Sequence, residues 1–307
     1  MLNAEHVTIR FGGITAVNDV SIHLERNKIN ALIGPNGAGK TTFFNCISGV
    51  YTPNEGTIVF EGQHIEGKKG YQICEAGLSR TYQVINLSWK MTALENILVG
   101  MHSNLKSTFW QSLFHTKFQR EEEQAALARA RELLDFVGLR DRENELASSP
   151  SYGERRLLEI ARALACQPKL LLLDEPAAGM NSVEKEELDA MLRSIIDRGV
   201  TILLIEHDMK LIMGISDYIY VLENGTLIAQ GLPEQVQNDP DVIRAYLGYA
   251  ILVREEFSCL EFIMNRDTIN WILKKLNTGG RTWSIYQRKS IKTASATRWW
   301  ENTTSPT

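Results

Sequence analysis

The eight residues Gly34-Pro35-Asn36-Gly37-Ala38-Gly39-Lys40-Thr41 constrain this chain more than any others. They have the form GxxxxGK[ST], and they stand where that form has chemical meaning. Before them, Lys28–Gly34 is a short apolar run that reads as a strand; after them, Lys40–Ser48 reads as a helix. Glycines at this spacing let the backbone curl, so that successive N–H groups and the helix N-terminus face one polyphosphate. Lys40 brings a point charge to the β- and γ-phosphates, and the Thr41 hydroxyl is suited to ligate Mg²⁺. The loop therefore predicts a nucleoside triphosphate site in an α/β protein.

A second run supports it. Leu170-Leu171-Leu172-Leu173-Asp174-Glu175 delivers two carboxylates at the end of a strand apolar on both faces, where open α/β sheets place ligands. Asp174 suits a Mg²⁺ water shell, and Glu175, directed away from it at the strand end, suits a base that takes a proton from water. Elsewhere, Glu5–Arg10 and Ala16–Leu24 alternate as antiparallel strands do, Thr57–Glu61 follows a Pro53–Gly56 turn, and Thr201–Ile205 repeats the buried-strand character. Tyr218–Glu223 and Thr226–Gln230 flank Asn224-Gly225, a strong hairpin signal. Between Leu87 and Ala165 the pattern turns helical, best in Gln119–Val137, where Ala126, Ala130, Leu133, Leu134 and Val137 share one face. Ser151-x-x-Glu154 is a capping box that opens a helix Arg155–Cys166. The expected architecture is a parallel α/β core with an antiparallel β part and an inserted helical subdomain at about 87–165.

Composition narrows the class. Of 307 residues, 44% are hydrophobic and 23% charged, which fits a globular chain, and a net charge of −4 gives no electrostatic case for nucleic acid. No apolar run reaches the ~18 residues of a bilayer span, and the first residues lack the basic and apolar regions of a secretory signal. Four cysteines without a CxxC argue against a zinc ribbon or a disulfide scaffold, so a reduced cytosolic compartment is expected.

Taken together, the phosphate loop and acidic pair resemble those of the ATP-binding-cassette (ABC) ATPases. The resemblance implies ATP and Mg²⁺ as ligands and the P-loop NTPase fold of that family. It extends the nucleotide contacts over Gly34 to Thr42 and matches Phe11 to the aromatic on which adenine stacks. Gln83, in Arg80-Thr81-Tyr82-Gln83, matches the glutamine that senses Mg²⁺ and the γ-phosphate. Ser151-Tyr152-Gly153-Glu154 matches the signature motif that contacts ATP held by a partner subunit, with Pro150 and Arg155 in place of the usual Leu and Gln. His207, in Ile205-Glu206-His207-Asp208, matches the histidine that meets the γ-phosphate and the catalytic glutamate, and Ala178–Asn181 matches the loop after the acidic strand. The implied roles are therefore Glu175, His207 and Gln83 in catalysis, and Thr41, Gln83 and Asp174 around the metal.

Within that family, Ile33–Asn45 and Asp174–Asn181 look most like the ATP-binding subunits of high-affinity branched-chain amino acid importers, as does the helical insert Gly100–Gly138. That implies a head-to-tail dimer with a second cassette (self or paralogue), two membrane permeases, a binding protein outside the membrane, and a peripheral place on the cytoplasmic face. The alternatives are the ATPase of a lipid or lipopolysaccharide exporter and a soluble non-transport cassette; the absence of a heptad array argues against the last.

The resemblance covers about residues 3–250. Beyond it, residues 251–307 carry nine Lys+Arg against five Asp+Glu, hence +4, so residues 1–250 carry −8. That stretch also has Trp271, Trp283, Trp299 and Trp300. Phe257–Leu276 has a broken helical face, and Arg281–Thr307 has the composition of a disordered segment. An accessory element for a partner or an acidic membrane surface is one reading; a non-homologous extension, unnecessary for nucleotide chemistry, fits the abrupt change better.

Overall fold

A computed structural model describes residues 1–102 and 117–246, with side chains from 121 onward in the second segment. It contains two sheets. The first is antiparallel, in the order β2-β1-β4-β5, from β1 (Leu2–Phe11), β2 (Ile14–Leu24), β4 (Glu55–Phe60) and β5 (Gln63–His64). The second has six strands in the order β10-β9-β3-β8-β7-β6. Its parallel members are β3 (Ile29–Ile33), β6 (Leu78–Arg80), β7 (Leu170–Asp174), β8 (Thr201–Ile205) and β9 (Tyr218–Glu223). β10 (Thr226–Gly231) closes one edge antiparallel to β9.

The continuous apolar runs belong to strands covered on both faces. Leu170 and Leu172 of β7 and Leu203 and Ile205 of β8 join one core, with β1, β2, β4 and the helix α1 (Lys40–Ile47). Leu171, Leu173, Ile202 and Leu204 point into the other. That second core is completed by α3 (Ala93–Gly100), α4 (Lys117–Phe136), α5 (Tyr152–Ala165), α6 (Ser182–Asp197), α7 (Met209–Ile215) and, through Val236, α8 (Pro233–Asn238), while α2 (Gly70–Glu75) adds Ile73 to the first. Alternation along a strand thus serves two hydrophobic layers, which is why these strands show no polar face.

Among the described residues between 87 and 165, α3, α4 and α5 are helical. Thr92 caps α3 through a capping box with Glu95, and Ala130, Leu133, Leu134 and Val137 of the α4 region are buried as their spacing predicts. Several boundaries differ, and one strand is not expected from the sequence. The helix expected at Arg155 starts at Tyr152, because Ser151 itself is the N-cap: its hydroxyl accepts from the Glu154 N–H while the Glu154 carboxylate accepts from the Ser151 N–H. β4 begins at Glu55 and ends at Phe60, one residue short of the expected Glu61, which has a left-handed φ of 51°. β6 has no pattern visible in the sequence, being only Leu78–Arg80; it forms by pairing with β7. The expectations for residues 251–307, and part of the Gly100–Gly138 insert, lie outside the described residues.

Candidate functional site

The parallel strands bring their carboxyl ends to one edge: β3 leads into Gly34, β7 into Glu175, β8 into Glu206-His207, and β6 into Thr81–Gln83. A cleft of about 250 Å³ opens there, lined by Asn36 to Thr42 with Ala16, Gln83, Glu175, Ile205 and His207. Its floor is fixed by backbone contacts that exclude side chains. A Cβ on Gly34 would sit 2.0 Å from the Leu222 carbonyl oxygen, and one on Gly39, whose φ is +97°, 2.5 Å from that of Ala16. The tip of the Asn224-Gly225 hairpin braces the same loop: the Gly225 N–H donates to Ala38 (3.1 Å), and its carbonyl accepts from Asn18 (2.7 Å). Asn224 and Gly225 both have positive φ, as this turn requires.

No side chain caps the N-terminus of α1, so its first N–H groups are left for an anion. Lys40, 6% exposed, donates through Nζ to the carbonyls of Gly34 (2.7 Å) and Pro35 (2.9 Å). Burial pushes its pKa down to about 8, against the attraction of Glu175 and Asp174. A lysine held this way is a charge awaiting a counter-charge.

Glu175 stands just past the end of β7 with φ 51°, which turns its carboxylate into the cleft. Oε1 accepts from Gln83 Nε2 at 3.2 Å and lies 2.8 Å from His207 Nε2. The histidine contact, opposed by partial burial, holds its pKa below the ordinary glutamate value, so Glu175 is ionised at neutral pH. Sequence reasoning separates these three residues by up to 124 positions, from Gln83 to His207; the sheet puts them in contact.

Asp174 does not line the cleft. It is 1% exposed, and its Oδ2 pairs with Arg80 at 3.1 Å. Arg80 also donates to Asn45 Oδ1 (2.7 Å) and Ser48 Oγ (2.9 Å) of the α1 region. Burial raises the Asp174 pKa, and Arg80 works against it. Of the oxygen donors expected for a hard cation, Thr41 and Gln83 line the cleft, while Asp174 lies outside that lining with one oxygen engaged by Arg80.

Two predicted groups stand apart from the cleft lining. Phe11 is 45% exposed, packed edge-to-face on Tyr51 with ring centroids 5.0 Å apart. Ser151, Tyr152, Gly153 and Glu154 begin α5 beside the Ala178–Asn181 loop: a Cβ on Gly153 would meet Glu184 Oε1 at 2.9 Å, and Tyr152 lies over Gly179. Arg155 donates to the Ser148 carbonyl (2.8 Å) and stacks on Trp89 at 5.7 Å, so this departure from the family pattern ties the head of α5 to the segments around Ser148 and Trp89.

Sequence reasoning missed Glu206 and Tyr246. Glu206 is 5% exposed and accepts from the backbone N–H groups of Ala177 (2.6 Å) and His207 (3.0 Å), so one carboxylate joins the loops that carry Glu175 and His207. Its pKa is raised by burial. Tyr246 is buried, with its hydroxyl hydrogen-bonded to the Gly34 backbone. The quoted Ile205–Asp208 segment contained Glu206, but its role depends on β7 and β8 being neighbours. Nothing local signals Tyr246.

Fold and site together define a P-loop nucleotide hydrolase of the ATP-binding-cassette class. Residues 17–178 match the ABC transporter model, and residues 226–250 match that of the branched-chain amino acid ATP-binding cassette transporter. The chain belongs to the ABC transporter family, as an ATP-hydrolysing cassette. It is 50% identical over 251 residues to the high-affinity branched-chain amino acid transport ATP-binding protein LivG of Escherichia coli, covering 81% of this chain and 98% of the relative. With BraF of Pseudomonas aeruginosa, a protein of the same description, identity is 45% over the same shares. Among solved structures, an ATP-binding cassette of an ABC transporter in its ADP conformation superposes with a TM-score of 0.70 at 32% identity, covering 81% of this chain and 98% of that one.

Proposed function

We propose that this chain is the ATP-hydrolysing subunit of an importer of branched-chain amino acids, working as a cassette dimer on the cytoplasmic face of two membrane permeases. The observation that carries the reading is the match to LivG over 98% of its length, with residues 226–250 fitting the branched-chain transporter model beyond the general cassette.

In the reaction this geometry supports, the N-terminus of α1 and Lys40 hold the β- and γ-phosphates, and Phe11 offers a stacking face for adenine. Thr41, Gln83 and Asp174 supply a donor set that fits Mg²⁺, which when bound neutralises charge on the phosphates. Glu175, ionised and held through Oε1 by Gln83 and His207, accepts a proton from the attacking water. Residues 1–250 form the working domain, with 251–307 outside it.

Ser151 is exposed at the head of α5 and absent from this chain's own cleft lining, which supports its serving a nucleotide bound by a second cassette. Tyr82, Val84 (80% exposed), Trp89 and Met91 are exposed apolar side chains in the segment around Gln83, and Leu146 is another, next to Ala147, whose N–H donates to the Met91 carbonyl. A membrane subunit docked there would move the glutamine as it moves. Among the described residues no helix is long and apolar enough to cross a membrane, so the solute path belongs to the partners in this reading. Co-purification from membranes tests it: two permeases and leucine-, isoleucine- or valine-dependent ATPase activity in reconstituted vesicles are expected. A complex that carries another class of solute, or no permease, refutes it.

A further inference from the structure

Among the described residues of the helical segment, the most buried charged side chains are Arg156 and Glu159, 0% and 1% exposed, an i,i+3 pair on the inner face of α5 at 2.7 Å. They do not touch the cleft, and a buried ion pair is a poor source of stability, since apolar residues of equal volume serve as well. What apolar residues cannot do is bind backbone. Arg156 donates to the carbonyls of Tyr82 (2.7 Å), Gln83 (2.9 Å) and Glu175 (3.4 Å). Glu159 accepts from the N–H groups of Tyr82 (3.4 Å) and Asn86 (3.3 Å). β6 ends at Arg80, so its ladder does not reach these groups. One pair of side chains therefore anchors the loop that carries Gln83 on both its donors and its acceptors, and extends to the main chain of Glu175.

The same helix begins with Ser151, five residues before Arg156. We infer that Arg156 and Glu159 are positioning residues that tie the orientation of the signature helix to the placement of Gln83 and Glu175. When Ser151 engages a nucleotide on a second cassette, the shift of α5 is passed through the guanidinium to the base and its glutamine partner in this chain's own site. Hydrolysis in one site thereby depends on occupancy of the other. The inference rests on the dimer reading above for its second site, though not for the clamp itself.

The test replaces the pair without stranding a charge, as the double variant Arg156→Met/Glu159→Met in the full chain. ATP affinity, measured by equilibrium binding, is expected to stay within about twofold, because no ligand contact is lost. The kcat is expected to fall about 10- to 100-fold, the effect of displacing a base by about 1 Å. The Hill coefficient for ATP should drop towards one. A double variant with the kcat and Hill coefficient of the parent overturns the proposal. Should that variant fail to fold, Arg156→Lys decides: it keeps the charge beside Glu159 but loses the fork that spans two loops. An unchanged kcat there overturns the proposal equally, and a fall in kcat at unchanged ATP affinity and melting temperature supports it. Failure of the dimer reading shows separately: the parent chain and Glu175→Gln would then stay monomeric with MgATP, whatever the pair does.

Discussion

Raising the pH from 7 to 9 should weaken ATP binding through Lys40 alone. In the nucleotide-free chain this ammonium is buried against two carbonyls, and its pKa lies near 8 instead of 10.5. With that value about nine lysines in ten are charged at pH 7, and about one in ten at pH 9. Only the charged form attracts a polyphosphate, and a bound polyphosphate raises the lysine pKa again, so binding above pH 8 takes up a proton. Affinity should be nearly flat below pH 7.5 and fall by about tenfold, or 1.4 kcal/mol, for each unit above 8 until the bound-state pKa is reached. Folding has the opposite sign: the unfolded lysine holds its proton more tightly than the folded one, so this group opposes folding below pH 8 and that penalty is relieved as pH rises from 8 to 10.5. Isothermal titration calorimetry in buffers of different ionisation enthalpy measures both quantities. Proton uptake should be close to zero at pH 7 and approach one per nucleotide at pH 9, with Lys40→Met showing weak binding and no such dependence. Affinity independent of pH between 7 and 9, without proton uptake, would refute the assignment of a depressed lysine at this site.

Three other outcomes follow from the geometry. Glu175→Gln should bind ATP like the parent but hydrolyse it about 10²–10⁴ times more slowly, the usual contribution of a general base, and a normal turnover rate would remove Glu175 from that role. Glu206→Ala strands the Ala177 and His207 N–H donors in a buried place; a loss of roughly 2–4 kcal/mol in urea unfolding is expected, together with a lower kcat as the Glu175 and His207 loops separate. A chain ended at Ala250 should fold and hydrolyse ATP as the full chain does, and an insoluble or inactive product would make residues 251–307 part of the working domain.

The sequence by itself determined the chemistry of this protein more than its arrangement. GxxxxGK[ST] between a strand and a helix, two carboxylates after a leucine run, and an Asn-Gly turn are local facts, because each depends on backbone freedom, charge or periodicity within a few residues. The capping box at Ser151 is of the same kind, and the structure moved its helix start by only three residues. The tertiary structure decided everything that depends on which strands are neighbours. Three-residue β6 has too little pattern to be seen, yet its pairing with β7 places Gln83 against Glu175 and Arg80 against Asp174. Adjacent β7 and β8 let Glu206 hold two loops at once, and the turn of Glu175 out of its strand sends its carboxylate into the cleft while Asp174 stays beneath it. Nothing local in the sequence sets Arg156 and Glu159 apart from the other charged residues of their helix. Only the fold, by packing that face of α5 over the end of β6, converts them into a buried clamp on backbone, where a charge without partners would not be tolerated.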